Sequence, residues 1–290
     1  MIGPMPASDL DRPLPRLVIF DLDGVVYRGD EAVPGAAALV DAIRRDGRLV
    51  RFATNNSSAT RAEYVTRLAG HGIRATVDEI VTSSHATVEH IRAHLPEVRR
   101  VLALGAPGLT AELRDGGLDV TEADDAAPPA WNGAPLPARF HALVCGLDRQ
   151  IDYRRLGIAT TAIRDGARFI ATNADLRFPT PEGFMPGAGT IVAALAATTG
   201  VEPLVIGKPQ PAMFLAILEH DRVAPDEALV IGDNPDADLV AARRAGIPSI
   251  LVLTGVVDEA AAAALDGERR PDRVAADPAA VAGLLGVALS

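Results

Sequence analysis

Short, continuous apolar runs recur along this chain, separated by segments with helical spacing, and this alternation restricts the fold more than any other feature. Arg16-Leu17-Val18-Ile19-Phe20 ends at Asp21, Leu49-Val50-Arg51-Phe52-Ala53 ends at Thr54, and Ala228-Leu229-Val230-Ile231-Gly232 ends at Asp233. Continuous rather than alternating hydrophobicity marks strands buried on both faces, as in a parallel sheet. Between the first two runs, Ala37, Leu39, Val40 and Ile43 follow a helical period. Thr60-Arg61-Ala62-Glu63 has the form of a capping box, opening a helix that carries Tyr64, Val65, Leu68 and Ala69. Further strands are expected at 80–82, 101–104, 141–145, 168–171, 204–206 and 249–253, with helices at 85–95, 107–115, 153–165, 190–199, 211–220 and 238–245. Such alternation predicts an α/β fold, a doubly wound parallel sheet with helices on both faces.

The net charge of −10 over 290 residues argues against a nucleic-acid backbone or an anionic membrane as partner, because both select basic surfaces. An anionic small molecule stays open, since a bound metal or a local cation outweighs global charge at close range. The one cysteine, Cys145, cannot form an internal disulfide and lies in the apolar run Ala142-Leu143-Val144-Cys145, so it reads as core. Residues 1–15 are proline-rich, lack the apolar centre of a signal peptide and read as a loose tail. No apolar segment is long enough to span a bilayer. The expectation is a cytoplasmic protein.

Ligands of open parallel sheets bind beyond the carboxyl ends of the strands. The polar residues that follow the apolar runs are Asp21 and Asp23, Thr54 with Asn55 and Asn56, Lys208, and Asp233 with Asp238. Asp21 and Asp23 are two apart, so in extended chain both carboxylates face one pocket, and Gly24 allows a sharp turn. Two like charges so close call for a positive partner. Mg²⁺ fits that demand, taking one or two carboxylates with water and phosphate oxygens, and Asp233 offers a further oxygen. Aspartate is also a covalent nucleophile for phosphate. Thr54, neighbouring main-chain N–H groups and Lys208 can stabilise charge on the transferring group, and Asp23 can protonate the leaving oxygen and later activate water. Each short motif alone is as readily a turn or a helix cap. Four of them, each after a strand and each with the required residue type, carry the reading together.

Phe20-Asp21-Leu22-Asp23-Gly24-Val25-Val26-Tyr27, Thr54-Asn55-Asn56-Ser57, Gly207-Lys208-Pro209 and Gly232-Asp233-Asn234-Pro235-Asp236-Ala237-Asp238 resemble the four motifs of the haloacid dehalogenase superfamily. The resemblance implies that Asp21 is the nucleophile and Asp23 the general acid/base. It implies Mg²⁺ bound by Asp21, the main-chain carbonyl of Asp23 and Asp233, with Asp238 acting mainly through metal-bound water. Thr54 and Lys208 would hold the phosphoryl group. Dehalogenases of the superfamily lack the second aspartate, so Asp23 favours phosphoryl chemistry.

The interval from Asp21 to Thr54 is short and that from Thr54 to Lys208 long. The long interval is similar to subfamily IIA, the group of p-nitrophenyl, phosphoglycolate, glycerol-phosphate and NagD-type phosphatases, with a smaller α/β cap domain inserted there. The division implied is a core of 16–84 and 188–290 and a cap of 85–187, with a return hinge at Thr180–Gly189. Cys145-Gly146-Leu147-Asp148 and Ala171-Thr172-Asn173-Ala174-Asp175 resemble that cap, and Asn173 and Asp175 are the candidates to face a substrate alongside Thr54, Asn55, Asn56 and Lys208. Relatives of this kind often pair through the cap, implying a homodimer. The substrate expected is a small phosphorylated metabolite. A phosphotransferase using the same intermediate, or a phospho-acceptor signalling protein without turnover, remains as an alternative. A dinucleotide enzyme is disfavoured because no G-x-G-x-x-G follows the first strand.

Overall fold

The computed structural model describes residues 14–180 and 183–289. The expected tail lies outside the described residues up to position 13. The chain begins with β1 (Leu17–Phe20), the small hairpin β2 (Tyr27–Arg28) and β3 (Glu31–Ala32), α1 (Ala36–Arg45), β4 (Leu49–Thr54), α2 (Arg61–Gly70), β5 (Ile80–Thr82) and α3 (Ser83–His94). It continues through β6 (Arg100–Leu104), α4 (Pro107–Asp115), β7 (Asp119–Glu122), β8 (Ala142–Cys145), α5 (Tyr153–Arg164) and β9 (Arg168–Ala171). The hairpin β10 (Arg177–Thr180) and β11 (Gly183–Pro186), α6 (Ala188–Thr199) and β12 (Leu204–Val205) follow. The last part holds α7 (Ala212–Asp221), β13 (Ala228–Gly232), α8 (Val240–Ala245), β14 (Ser249–Val252), α9 (Glu259–Ala263), β15 (Arg273–Ala275) and α10 (Pro278–Leu285).

Two parallel sheets result. The first has the order β15-β14-β13-β1-β4-β5 and the second β12-β9-β8-β6-β7. In the first, Phe20 pairs with Ile231 on one side and Phe52 on the other. Strand order reverses on either side of β1, so the crevice beyond the ends of β1 and β13 is the topological switch point at which open α/β sheets bind ligands.

Because side chains alternate across a strand, each sheet feeds two layers. Leu17 and Ile19 point to one side of β1, Val18 and Phe20 to the other. The first pair joins a layer shared with the second sheet, which contributes Val101, Ala103, Val144 and Ile170. Ile91 of α3, Leu109 of α4 and Phe214 of α7 fill the space between. Leu102, Leu143, Cys145 and Phe169 face the outer layer of the second sheet under α5 and α6. The expected capping box is present: Thr60 Oγ1 accepts the Glu63 N–H, and Glu63 accepts the Thr60 N–H. Among the described residues no helix is long and apolar enough to cross a membrane.

Two expectations meet a different chain path. At the expected hinge, 180–189, the chain runs through β11, paired antiparallel with β10, and into α6 rather than crossing between sheets, with Phe178 opposite Met185; residues 181–182 lie outside the described residues. Proline and glycine punctuate a hairpin turn as readily as a hinge. The return to the first sheet comes later, after β12, where Ile206 and Gly207 still donate to Ala171 O and Thr172 O at 3.0 and 2.8 Å. Consequently α6 and β12, numbered beyond 187, pack with the second sheet: Ile191, Val192 and Leu195 sit in its outer layer.

Candidate active site

Asp21 leaves β1 with its main-chain N–H still paired to Ile231 O at 2.9 Å, so the strand's register fixes where its carboxylate emerges. Lys208 reaches it from the return segment. The buried ammonium donates to Asp21 Oδ1 at 2.5 Å, to Asp238 Oδ1 at 2.6 Å and to Ala53 O at 3.2 Å, using all three of its donors. Asp238 lies on a π-helical turn, Pro235–Leu239, that precedes α8. Its other oxygen accepts the Asn234 N–H at 3.1 Å, and the Asn234 side chain caps that turn by accepting from Asp236 and Ala237 N–H.

Asp233 enters from the end of β13, and its Oδ2 accepts the Val256 N–H at 3.0 Å. Two glycines make room for it. A Cβ on Gly24, which has φ +79°, would lie 2.3 Å from Asp233 Oδ2; one on Gly255 would lie 1.9 Å away. The Thr254 hydroxyl ties the two loops together by donating to Gly24 O at 2.6 Å. Carboxylate oxygens of Asp21, Asp233 and Asp238 all come within 4.8 Å of one another.

The electrostatics are dominated by burial. It pushes Asp21 well above the usual carboxylate range; Lys208 opposes the shift, and Asp238 and Asp233 add to it. Burial and then Asp238 push Asp233 up to about 7. For Lys208, burial disfavours the charge, but Asp21 and Asp238 more than offset it and hold the ammonium protonated. With Asp23, carboxylates outnumber the ammonium four to one. This hard, all-oxygen donor set, crowded and short of positive charge, fits a divalent cation such as Mg²⁺.

Asp23 lies at the open side of this group and is exposed. The surrounding protein displaces enough water to raise its carboxyl, against the pull of Arg67 and Lys208. Thr54 is buried at the end of β4, its hydroxyl accepting the Asn56 N–H at 3.2 Å. The other expected residues are tied up among themselves. Asn56 Oδ1 accepts from both the N–H and the hydroxyl of Ser58, shaping its own loop. The Asn55 side chain bonds to Lys208 main chain and to Asp175. Asn173, itself buried, donates to Asn55 O at 2.7 Å. Burial also raises the Asp175 carboxyl, with the Asn55 amide opposing.

Three contributors were missed. Arg67 of α2 lies over the Tyr27 ring at 4.6 Å and is the cation acting most strongly on Asp23; its helical position concealed it. Thr254 and Gly255 follow the apolar run of β14, and the rule that found Asp21 and Asp233 would have found them. Lys208 carried a further signal, as the one lysine in the sequence.

Residues 18–119 match the model of the haloacid dehalogenase-like hydrolases, and residues 205–280 a second HAD-hydrolase-like model. An acid sugar phosphatase of Staphylococcus epidermidis is 34% identical over 82% of this chain and 86% of its own. A 4-nitrophenylphosphatase of Thermotoga maritima superposes with TM-score 0.82 at 31% identity, covering 92% of this chain and 96% of the other. A glycerol phosphate phosphatase of Mycobacterium tuberculosis, solved with magnesium, gives TM-score 0.81 at 32% identity over 92% of this chain and 76% of the other.

Proposed function

This chain belongs to the haloacid dehalogenase-like hydrolases and is a phosphoric monoester hydrolase, and from that premise we propose that it hydrolyses small phosphate monoesters with Mg²⁺ through a covalent phosphate on Asp21. The observation that carries this reading is the buried Lys208 ammonium held between Asp21 and Asp238, with Asp233 beside them. Asp21, Asp233 and the main-chain carbonyl of Asp23 would hold Mg²⁺ directly and Asp238 mainly through water, the ion when bound neutralising charge on the phosphoryl oxygens.

An Asp21 carboxylate oxygen attacks phosphorus as the bond to the ester oxygen breaks. Asp23 gives its proton to that leaving oxygen. Its carboxylate then takes a proton from water, whose oxygen bonds to phosphorus as the Asp21–phosphorus bond breaks and inorganic phosphate departs. The exposed position of Asp23 suits a group that must reach first the leaving alcohol and then water. Burial raises its carboxyl, which favours the protonated form that donation to the leaving oxygen needs. The Thr54 hydroxyl holds the transferring group, and the Lys208 ammonium, kept against Asp21, offsets the negative charge that develops there. The unit built on the second sheet acts as the cap that excludes bulk water. Pairing of two copies through that unit, and a cytoplasmic location, belong to the same reading.

The test is phosphate release from p-nitrophenyl phosphate and a panel of sugar, glycerol and nucleoside monophosphates, with and without Mg²⁺, for the wild type and Asp21→Asn. The reading requires Mg²⁺-dependent turnover that disappears in Asp21→Asn. Turnover that survives Asp21→Asn, or transfer to an alcohol with no release to water, would refute it.

A further inference from the structure

Asn55 stands in the second motif, one residue past Thr54, where a phosphate contact is the obvious reading. Its side chain is engaged elsewhere. Oδ1 accepts the main-chain N–H of Lys208 at 2.8 Å, and Nδ2 donates to the main-chain carbonyl of the same residue at 2.8 Å. The amide therefore pairs with both main-chain groups of one residue, as a neighbouring strand would. Its second N–H goes to Asp175 Oδ2 at 2.9 Å. An asparagine has two amide donors, so neither is free for a phosphate without releasing Lys208 or Asp175. The Asn55 carbonyl is also held, by the Ser83 hydroxyl at 2.6 Å and by Asn173 Nδ2 at 2.7 Å. Gly207 allows the approach: a Cβ there would lie 2.7 Å from Asn55 Oδ1 and 2.5 Å from Thr172 O.

Asp175 lies on the second sheet's side of this junction and acts on the amide in a specific way. By accepting from Nδ2 it reinforces the amide orientation that the Lys208 N–H and carbonyl impose. A flipped amide would set its NH₂ against the Lys208 N–H and its oxygen against the Asp175 carboxylate. We infer that Asn55 is a positioning residue that places Lys208 between Asp21 and Asp238, and that Asp175 acts on the reaction through Asn55 rather than by touching the substrate. The inference rests on the phosphatase reading for its kinetic consequence but not for its structural one. A long flexible ammonium is located by where its main chain is held, and here that anchor also joins the catalytic lysine to the second sheet.

The test uses the full chain and two readouts. The first is steady-state kinetics on the ester panel for Asn55→Ala, Asp175→Ala, Asp175→Asn and the double alanine variant. Asn55→Ala is expected to lower kcat about 100-fold, the scale of an ångström of misplacement, by the same factor for every ester and with KM within about threefold. Asp175→Ala lowers kcat about tenfold. The double variant is no worse than Asn55→Ala, because both act through one group. Asp175→Asn keeps an acceptor oxygen and recovers most of the Asp175→Ala loss. The second readout needs no activity. Lys208 is the one lysine and is 3% exposed, so acylation by an N-hydroxysuccinimide ester, read by mass spectrometry of the peptide containing it, reports its shielding. It stays unmodified in the folded wild type and becomes labelled in Asn55→Ala. Should Asn55→Ala fail to fold, Asn55→Asp, which keeps Oδ1 but loses both donors, takes its place. Losses that differ more than tenfold between esters, losses that multiply in the double variant, or a Lys208 that stays shielded in a folded Asn55 variant would overturn the inference. A wild type that turns over no ester would overturn the phosphatase reading alone, and the acylation readout would still decide this one.

Discussion

Gly255→Ala adds one methyl group, and the geometry predicts a large loss of activity from it. The new Cβ would lie 1.9 Å from Asp233 Oδ2, 2.3 Å from its Cβ and 2.4 Å from its Cγ, whereas real Cβ contacts stay beyond 3.0 Å. The Gly255 backbone lies outside the left-handed region, so the effect is one of space alone. Asp233 is buried and cannot swing to solvent without leaving the cluster. It must retreat by about 1 Å or more, the gap to ordinary van der Waals separation, and the Val256 N–H bond breaks with it. A shift of about 1 Å at a reacting constellation costs on the order of 100-fold in rate, which is about 2.7 kcal/mol at 1.36 kcal/mol per tenfold. The loss should concentrate in the metal requirement. In a Mg²⁺ titration of p-nitrophenyl phosphate turnover, the half-saturating concentration rises at least about tenfold and kcat/KM falls about 100-fold. A Gly255→Ala enzyme within threefold of wild type at every Mg²⁺ concentration would refute the reasoning.

Mg²⁺ should stabilise the fold as well as support turnover: at about 100 times its dissociation constant the gain is about 2.7 kcal/mol, and EDTA should lower the thermal midpoint accordingly. Cys145 is buried, and burial followed by the Asp148 charge pushes its thiol up to about 12; iodoacetamide at pH 8 should leave it unmodified in the folded chain and alkylate it in urea. For His85 the folded pKa lies below the ordinary imidazole value, chiefly through burial and then Arg61. Its contribution to stability is therefore present above the ordinary value and lost as pH falls through the folded one. Melting curves between pH 7.5 and 5 should drop toward acid, and His85→Gln should flatten that slope; an unchanged slope would remove His85 as the cause.

The central strands were readable because a strand buried on both faces cannot alternate. Leu17-Val18-Ile19-Phe20 and Ala228-Leu229-Val230-Ile231 feed two apolar layers each and so appear as unbroken runs. A polar residue directly after such a run stands out against it, and this marks Asp21, Thr54 and Asp233. Lys208 was readable from its motif, but its bridge between Asp21 and Asp238 joins positions 187 and 30 residues apart. The engagement of Asn55 with Lys208 and Asp175 spans 153 and 120 residues, and nothing local in Thr54-Asn55-Asn56 distinguishes an amide that binds a ligand from one that holds the chain. The hairpin at 177–186 and the late return after β12 were missed for a related reason. Proline and glycine mark where a chain bends, not which sheet it joins next.

The layer shared by the two sheets limits how such a protein can diversify. Val101, Ala103, Val144 and Ile170 of the second sheet meet Leu17, Ile19, Ala53 and Val230 of the first across α3, α4 and α7. A different second unit could not be grafted in place of this one as a cassette, because its inner face would have to be recut to fit helices that also support the first sheet. Change is least constrained where this layer is not involved, on the hairpin of β10 and β11 with its exposed Phe184 and Met185. Lineages descending from such an ancestor would be expected to vary their specificity there first, leaving the buried faces between the sheets almost untouched.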